Sequence, residues 1–362
     1  MVTRRTCHGI NKACNCRVIA IAIAIFASLV ALLLVLLLSV SRHPAVLVAP
    51  SFTRPGADHT NHRSTQTTDG TDIANRGQVS CLDLLSSAGK PIVIARSRAQ
   101  SPFSIAVHDH VSDIMISKAI VDSGLWDVHV LKALEHFARD ACVKGGLALD
   151  VGTNLGFFSM ALLAMGCSVK GFEMQPRMAE LATLSGCING YSDRFQLKLG
   201  AVSDSHGAHL QRVDATSGNL GGIGIVKEGG ISVRASRLDM MLDLKTEISV
   251  MKLDVEGHED KALYGMSELL KRKLVKCIIM EFSPNVMGVE AAEKMLQYLH
   301  AFGFQEIHEI DHMQPDEYDK PIRMSRVDVK QDSWAKTFAK KVFDGGDSRG
   351  AHFTDLVLKL SA

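Results

Sequence analysis

Two short stretches concentrate the side chains that could do chemistry. In Ser249-Val-Met-Lys-Leu-Asp254-Val-Glu256-Gly-His258-Glu259 an apolar run breaks into carboxylates and a histidine. A further apolar run, Lys276-Cys-Ile-Ile-Met-Glu281-Phe282, also ends in an acid. Carboxylates and a histidine at strand ends suit the removal of a proton from a bound hydroxyl, which calls for a positioned base. Asp254, Glu256, His258 and Glu281 are therefore the candidates for base and acceptor positioning. Asp254 ranks first on position and His258 second on its ordinary pKa near neutrality. Asp254 is flanked by Leu253 and Val255, so burial there requires a partner or a ligand. Lys252 alternates with Asp254 along the strand and is expected to pair with a carboxylate. Glu259 fits a helix start, where an acid complements the dipole.

The second stretch is Leu147-Ala-Leu-Asp150-Val-Gly152-Thr-Asn154-Leu-Gly156-Phe-Phe-Ser159, which reads as strand, tight turn and helix. Small residues let the backbone pass close to a ligand, and a helix start offers free N–H groups. Glu173 ends the next predicted strand, 21 residues after Gly152. An acid at about that spacing suits a pair of ribose hydroxyls. The ligand is thus expected to contain a nucleoside. A nicotinamide dinucleotide is disfavoured, because Asn154 stands where the G-x-G-x-x-G fingerprint has its second glycine.

Elements that place these residues alternate along the chain. Leu147–Val151, Ser168–Glu173, Phe195–Gly200, Ser249–Asp254, Lys276–Phe282 and Phe304–Ile310 read as strands, and His352–Leu360 as a terminal one. Helical periodicity covers Ile114–Arg139, Phe157–Met165, Pro176–Ile188, Glu259–Lys271 and Glu290–Phe302. The alternation predicts an α/β fold, a doubly wound, mostly parallel sheet with helices on both faces. Gly207–Val233 holds two strand-like runs around Gly218-Asn-Leu-Gly-Gly-Ile-Gly224 and reads as a substrate loop or a plain hairpin. Asp311–Gly350 reads as a polar insert with Trp334 and Phe338 on one helical face.

The order of these motifs resembles the FkbM-type methyltransferases, a class I group that uses S-adenosylmethionine. D-x-G-x-N-x-G-x-x-S at Asp150–Ser159 resembles the first motif of that class. K-L-D-V-E-G-H-E followed by I-I-M-E, together with Gly171–Pro176, Asn189, Ala201–Asp204, Asn219–Gly222 and Arg237–Asp239, resembles FkbM members in particular. Asp113 and Gly124–Asp127 resemble the lead-in helix, and the likeness spans about Ser104–Phe304. It implies a seven-stranded sheet whose last strand inserts antiparallel between the fifth and sixth. It also implies O-methylation of a hydroxyl on a glycan or small molecule. On the cofactor side Gly152, Asn154 and Gly156 would pass along the methionine part, and Asp150 would hold the loop and approach the amino group. Glu173 would take the ribose, Ala201 and Val202 the adenine. No metal ligands are assigned. The competing readings are an inactive binding module on the same fold and a nicotinamide-dependent oxidoreductase.

Composition limits the partners. Forty basic and 39 acidic side chains leave no electrostatic footprint for nucleic acid, and 6% aromatic content offers no base-stacking platform. Val18–Val40 is 23 residues without a charge, long enough to cross a bilayer. Arg4, Arg5, Lys12 and Arg17 precede it, which predicts a cytosolic N-terminus. The expected plan is a tail at 1–17, an anchor at 18–40, a flexible stem at 41–80 and a methyltransferase domain at 81–362. It corresponds to a single-pass type II membrane protein of the Golgi or endomembrane system with a luminal catalytic domain. Cys7, Cys14 and Cys16 flank the anchor as free thiols or palmitoylation sites. Cys167, Cys187 and Cys277 fall in apolar patterns and are expected to act as small hydrophobes. The five cysteines from Cys81 onward are an odd number, and no N-x-[ST] sequon occurs.

Overall fold

A computed structural model of the chain describes residues 47–49, 81, 92–109, 111–213, 218–345 and 352–361. Its strands in chain order are β1 (Leu47–Ala49), β2 (Ile92–Arg96), β3 (Ser104–His108), β4 (Leu147–Val151), β5 (Ser168–Glu173), β6 (Phe195–Leu199), β7 (Ala201–Val202), β8 (His209–Arg212), β9 (Ile225–Val226), β10 (Ile231–Ser236), β11 (Ile248–Leu253), β12 (Cys277–Phe282), β13 (Phe304–Ile310), β14 (Met324–Arg326) and β15 (Thr354–Leu360).

The central sheet has eight strands in the order β14-β13-β15-β12-β11-β4-β5-β6. The block β12-β11-β4-β5-β6 is parallel throughout. β15 runs antiparallel between β12 and β13, as expected for the terminal strand. Short β14 adds to the outer edge. Apart from β14 this is the seven-stranded order expected from the resemblance. β4, β11 and β12 read as nearly unbroken apolar runs because helices cover both faces. Ala148, Val250, Ile279 and Val357 enter one core. Their neighbours Leu149, Met251, Ile278 and Leu356 enter the other. That alternation decides which titratable groups share a face. Asp150, Lys252, Glu281 and Asp355 lie two residues along from Ala148, Val250, Ile279 and Val357, so all four occupy the first face. Lys252 is directly opposite Asp150 and Glu281 opposite Asp355.

Several elements differ from expectation. The helix predicted over 114–139 breaks into Ile116–Ser123 and Val128–Phe137, because Gly124 closes the first in a left-handed turn (φ 72°) and Asp127 begins the second at φ 38°. The run 259–271 divides into Glu259–Tyr264 and Ser267–Lys271 at Gly265, where a β-carbon would lie 2.1 Å from the Ser203 carbonyl oxygen. The 207–233 region belongs to a four-stranded sheet, β7-β10-β8-β9. The polar insert contains the helix Trp334–Phe343, whose Trp334 and Phe338 are buried against the second core. The hairpin β2–β3 has no counterpart among the strands expected from the sequence.

Two corrections concern cysteines and the membrane. Cys167 and Cys187 are not thiols packed as hydrophobes: they form the bridges Cys142–Cys167 and Cys81–Cys187. These pairings join elements distant in sequence, so only the folded chain brings them together. Cys277 is a buried free thiol, as expected. The single-pass type II membrane assignment, with its Golgi location and luminal domain, is overturned: among the described residues no helix is long and apolar enough to cross a membrane. The longest described helices, Pro176–Ile188 and Val289–Ala301, have 13 residues each, about 20 Å against a hydrocarbon core of about 30 Å. The tail, the segment Val18–Val40, its neighbouring Cys7, Cys14 and Cys16, and most of the stem lie outside the described residues.

Candidate active site

The C-terminal ends of β4, β5 and β11 enclose a first cavity, lined by Gly152, Asn154, Glu173, Ala201, Val202, Ile223 and Ile225 among others. The turn after β4 is held tightly. Gly152 and Thr153 donate backbone N–H groups to the Phe172 carbonyl at 2.9 and 3.0 Å. Gly152 (φ 82°) passes so near β11 that a β-carbon would lie 1.7 Å from the Asp254 carbonyl oxygen. Asn154 is left-handed at φ 51°, and its N–H donates to Glu173 Oε2 at 2.7 Å. Gln175 N–H donates to Glu173 Oε1 at 2.7 Å. Burial raises the Glu173 carboxyl above the usual range, and these two N–H groups oppose that shift. The loop at 218–224 closes over this cavity: Gln175 Nε2 donates to the Leu220 carbonyl at 3.1 Å, and Gly221 packs on Asn154.

Asp150 and Gly156 take different places. Neither lines the cavity. Asp150 is fully buried beneath the turn, accepts from Ser159 Oγ at 2.6 Å and lies 3.9 Å from Lys252 Nζ. Burial raises its carboxyl. Gly156 caps the helix Phe157–Met165 and packs against Ala182. Phe157 is core, edge-on to Phe103.

A second cavity of about 500 Å³ opens beside the first, between the strand ends and the helix Val128–Phe137. Trp126, Asp127, His129, Glu281, His312 and Asp355 border it. His129 Nε2 lies 2.7 Å from Asp355 Oδ2. Burial pushes Asp127 up to about 6. Asn154, Asp254 and Glu256 line both cavities. They are where a cofactor in one and an acceptor in the other would meet.

The four catalytic candidates divide accordingly. Lys252 Nζ contacts Asp254 Oδ2 at 3.1 Å and donates to the Gly152 carbonyl at 2.9 Å. It also sits 5.4 Å from the centroid of Phe158. Burial alone would lower this lysine, but Asp254, Asp150 and Asp127 outweigh it and hold the ammonium above its usual range. Glu256 adopts φ 56°, a conformation rare outside glycine and found at functional sites. Burial and then Asp254 push it up to about 7. Glu281 borders only the second cavity, and burial followed by its carboxylate neighbours raises it well above the usual range. His258 borders only the first; its Nε2 lies 3.0 Å from Ser203 Oγ, and burial lowers its pKa.

Sequence reasoning missed Asp127, His129, His312 and Asp355. One signal was present: Asp355 is an acid inside the apolar run Phe353–Leu358, at the same register as Glu281.

Residues 150–306 match the methyltransferase FkbM domain model. No curated protein sequence matches the chain. Among solved structures, a putative rRNA methylase from Clostridium thermocellum is 12% identical, with a TM-score of 0.35, covering 64% of this chain and 96% of its own. An S-adenosylmethionine-dependent methyltransferase from Agrobacterium tumefaciens is 7% identical with a TM-score of 0.38, covering 74% and 70%. A geranyl diphosphate methyltransferase solved with S-adenosylmethionine is 13% identical with a TM-score of 0.33, covering 72% and 97%.

Proposed function

We propose, for a chain whose residues 150–306 belong to the methyltransferase FkbM family and whose cofactor is S-adenosylmethionine, that it methylates a hydroxyl of a small molecule or glycan. The observation that carries this reading is the junction at Asn154, Asp254 and Glu256, which border both cavities. The cofactor fits the first cavity by its donor set. Gly152 leaves room for close backbone approach, Glu173 offers carboxylate oxygens to ribose hydroxyls, and Ala201, Val202, Ile223 and Ile225 supply an apolar wall for a base. When bound, S-adenosylmethionine supplies a methyl already activated on a sulfonium.

The protein's part is to place the acceptor and take its proton. Asp254, fixed by Lys252, orients the acceptor hydroxyl at the junction. Glu256 lines both cavities and, among the described residues, no lysine hydrogen-bonds its carboxylate; it receives the proton, which passes on to water. With S-adenosylmethionine bound, the acceptor oxygen would take the methyl as Glu256 takes its proton, and S-adenosylhomocysteine would be the leaving product. Asp127, Glu281 and Asp355 suit an acceptor with several hydroxyl donors, and Trp126 offers an apolar face. Glu281 and His258, each on one cavity only, act in support.

Incubation of the full chain with labelled donor and fractionated glycans, lipids and metabolites tests this reading. Label is expected in a hydroxyl-rich fraction, in an ether stable to mild base. Label released by mild base would mean a carboxyl acceptor. Intact cofactor binding with no transfer to any fraction would favour a binding module.

Glu173→Ala is expected to weaken S-adenosylmethionine and S-adenosylhomocysteine alike, since the ribose is common to both. Loss of a charge-assisted bond costs about 1.5–3 kcal/mol. Calorimetry with each ligand measures it, and unchanged affinity would remove Glu173 from the ribose site.

A further inference from the structure

Asp254, Glu259 and Glu281 converge where β11 and β12 end. One carboxylate oxygen from each lies within 4.8 Å of the other two. Carboxylates this close, away from bulk water, repel strongly unless a proton or a cation lies among them. Glu259 supplies an independent observation. It is fully buried, and its Oε1 accepts from the backbone N–H groups of Val255 and Gly257 at 3.0 and 3.1 Å. Its other oxygen, Oε2, is shut away from solvent with no hydrogen-bond partner among the described residues. Buried carboxylate oxygens are ordinarily paired. The nearby lysine does not supply the missing partner. Lys252 is engaged by Asp254 Oδ2, Asp150 and the Gly152 carbonyl. The charges acting most strongly on Glu281 are Asp254, Glu259, Glu256 and Asp355, all of its own sign.

We infer that Asp254, Glu259 and Glu281 bind one divalent cation. Three carboxylate oxygens, without nitrogen or sulfur donors, suit the hard cations Mg²⁺, Mn²⁺ and Ca²⁺. Two oxygens on one cation stand at most about 4.2 Å apart around Mg²⁺ and about 5.2 Å around Ca²⁺, and these three lie within 4.8 Å of one another. The two backbone N–H groups on Glu259 orient that carboxylate, as outer hydrogen bonds commonly do for a metal ligand. Asp254 also borders both cavities, so the cation would lie within reach of an acceptor oxygen and ease the loss of its proton. That role rests on the methyl-transfer reading above; cation binding itself does not. The three ligands form no short motif in the sequence, so their spacing along the chain does not reveal them.

Titration of the chelator-stripped full chain with Mn²⁺, followed by the electron paramagnetic resonance of the free ion, tests the site. One Mn²⁺ per chain is expected, displaced by Mg²⁺ or Ca²⁺. Glu281→Gln should weaken binding by at least about tenfold. Among the described residues Glu281 accepts no backbone N–H, so this variant is expected to fold even if Glu259→Gln does not. Glu228→Gln, on an exposed turn, should leave affinity unchanged. Absence of saturable binding to the folded chain, or equal affinity in Glu281→Gln, overturns the inference. Calorimetry with S-adenosylmethionine on the same samples separates the two proposals. Cofactor binding without Mn²⁺ binding defeats the metal site alone, whereas Mn²⁺ binding without cofactor binding defeats only the methyl-transfer reading.

Discussion

Asp254→Asn is expected to lower turnover by a factor of about 10²–10⁴, the worth of acid–base catalysis that is lost when the acceptor hydroxyl is no longer oriented toward Glu256. The substitution keeps the shape of the side chain and removes its charge. Three losses coincide: the anion that Lys252 meets at 3.1 Å, the acceptor for a substrate hydroxyl, and one oxygen of the carboxylate cluster. Affinity for S-adenosylmethionine should change little, because Glu173 and the apolar wall are untouched. His258→Ala is the matched comparison. His258 lines only the first cavity, where the cofactor is proposed to bind, and contacts Ser203, so a smaller loss in turnover, with some loss of cofactor affinity, is expected. Near-normal turnover in Asp254→Asn, with an unchanged circular dichroism spectrum, would remove Asp254 from the mechanism. A larger loss in His258→Ala would make the histidine the base.

Gly152→Ala should be the most damaging single change in the cofactor turn. At φ 82° a side chain is strained, and the added β-carbon would meet the Asp254 carbonyl oxygen at 1.7 Å. That contact is backbone against backbone, so no side-chain rotation relieves it. Left-handed strain and overpacking each cost about 1–3 kcal/mol. Moving the turn also displaces Asn154 from Glu173 and Lys252 from the Gly152 carbonyl. The expected result is a lower urea midpoint and loss of measurable cofactor binding. Gly190→Ala separates the two causes: its φ is 73°, but nothing lies within 4 Å of the added carbon. It should show strain alone, about 1–2 kcal/mol, with cofactor affinity intact. Equal behaviour of the two variants would mean that the close approach at Gly152 does not matter.

Much of this arrangement is legible in the chain itself. Buried parallel strands are short apolar runs, and β4, β5, β11 and β12 each end where a run meets an acid or a glycine. That punctuation alone locates Gly152, Asn154, Glu173, Asp254 and Glu256 at one end of the sheet. A two-residue alternation likewise places Lys252 beside Asp254. Ala201 and Val202 are located by their motif and do line the first cavity.

The tertiary structure decided what no local pattern encodes. The breaks at Gly124 and Gly265 come from neighbours distant in sequence, since a glycine in an otherwise helical run can be tolerated or can end it. Both disulfides, and hence the state of Cys167 and Cys187, depend on chain crossings. Asp150 matches a cofactor motif, yet its side chain points beneath the turn to Ser159. The second cavity required strand register. Asp355 meets Glu281 only because β15 inserts antiparallel against β12, and the helix Val128–Phe137 then brings His129 onto Asp355. The sequence by itself determined which residues stand at the strand ends, because hydrophobic runs and their breaks are local. Which of those residues share a cavity was decided by pairing and register, which are long-range properties of the folded chain.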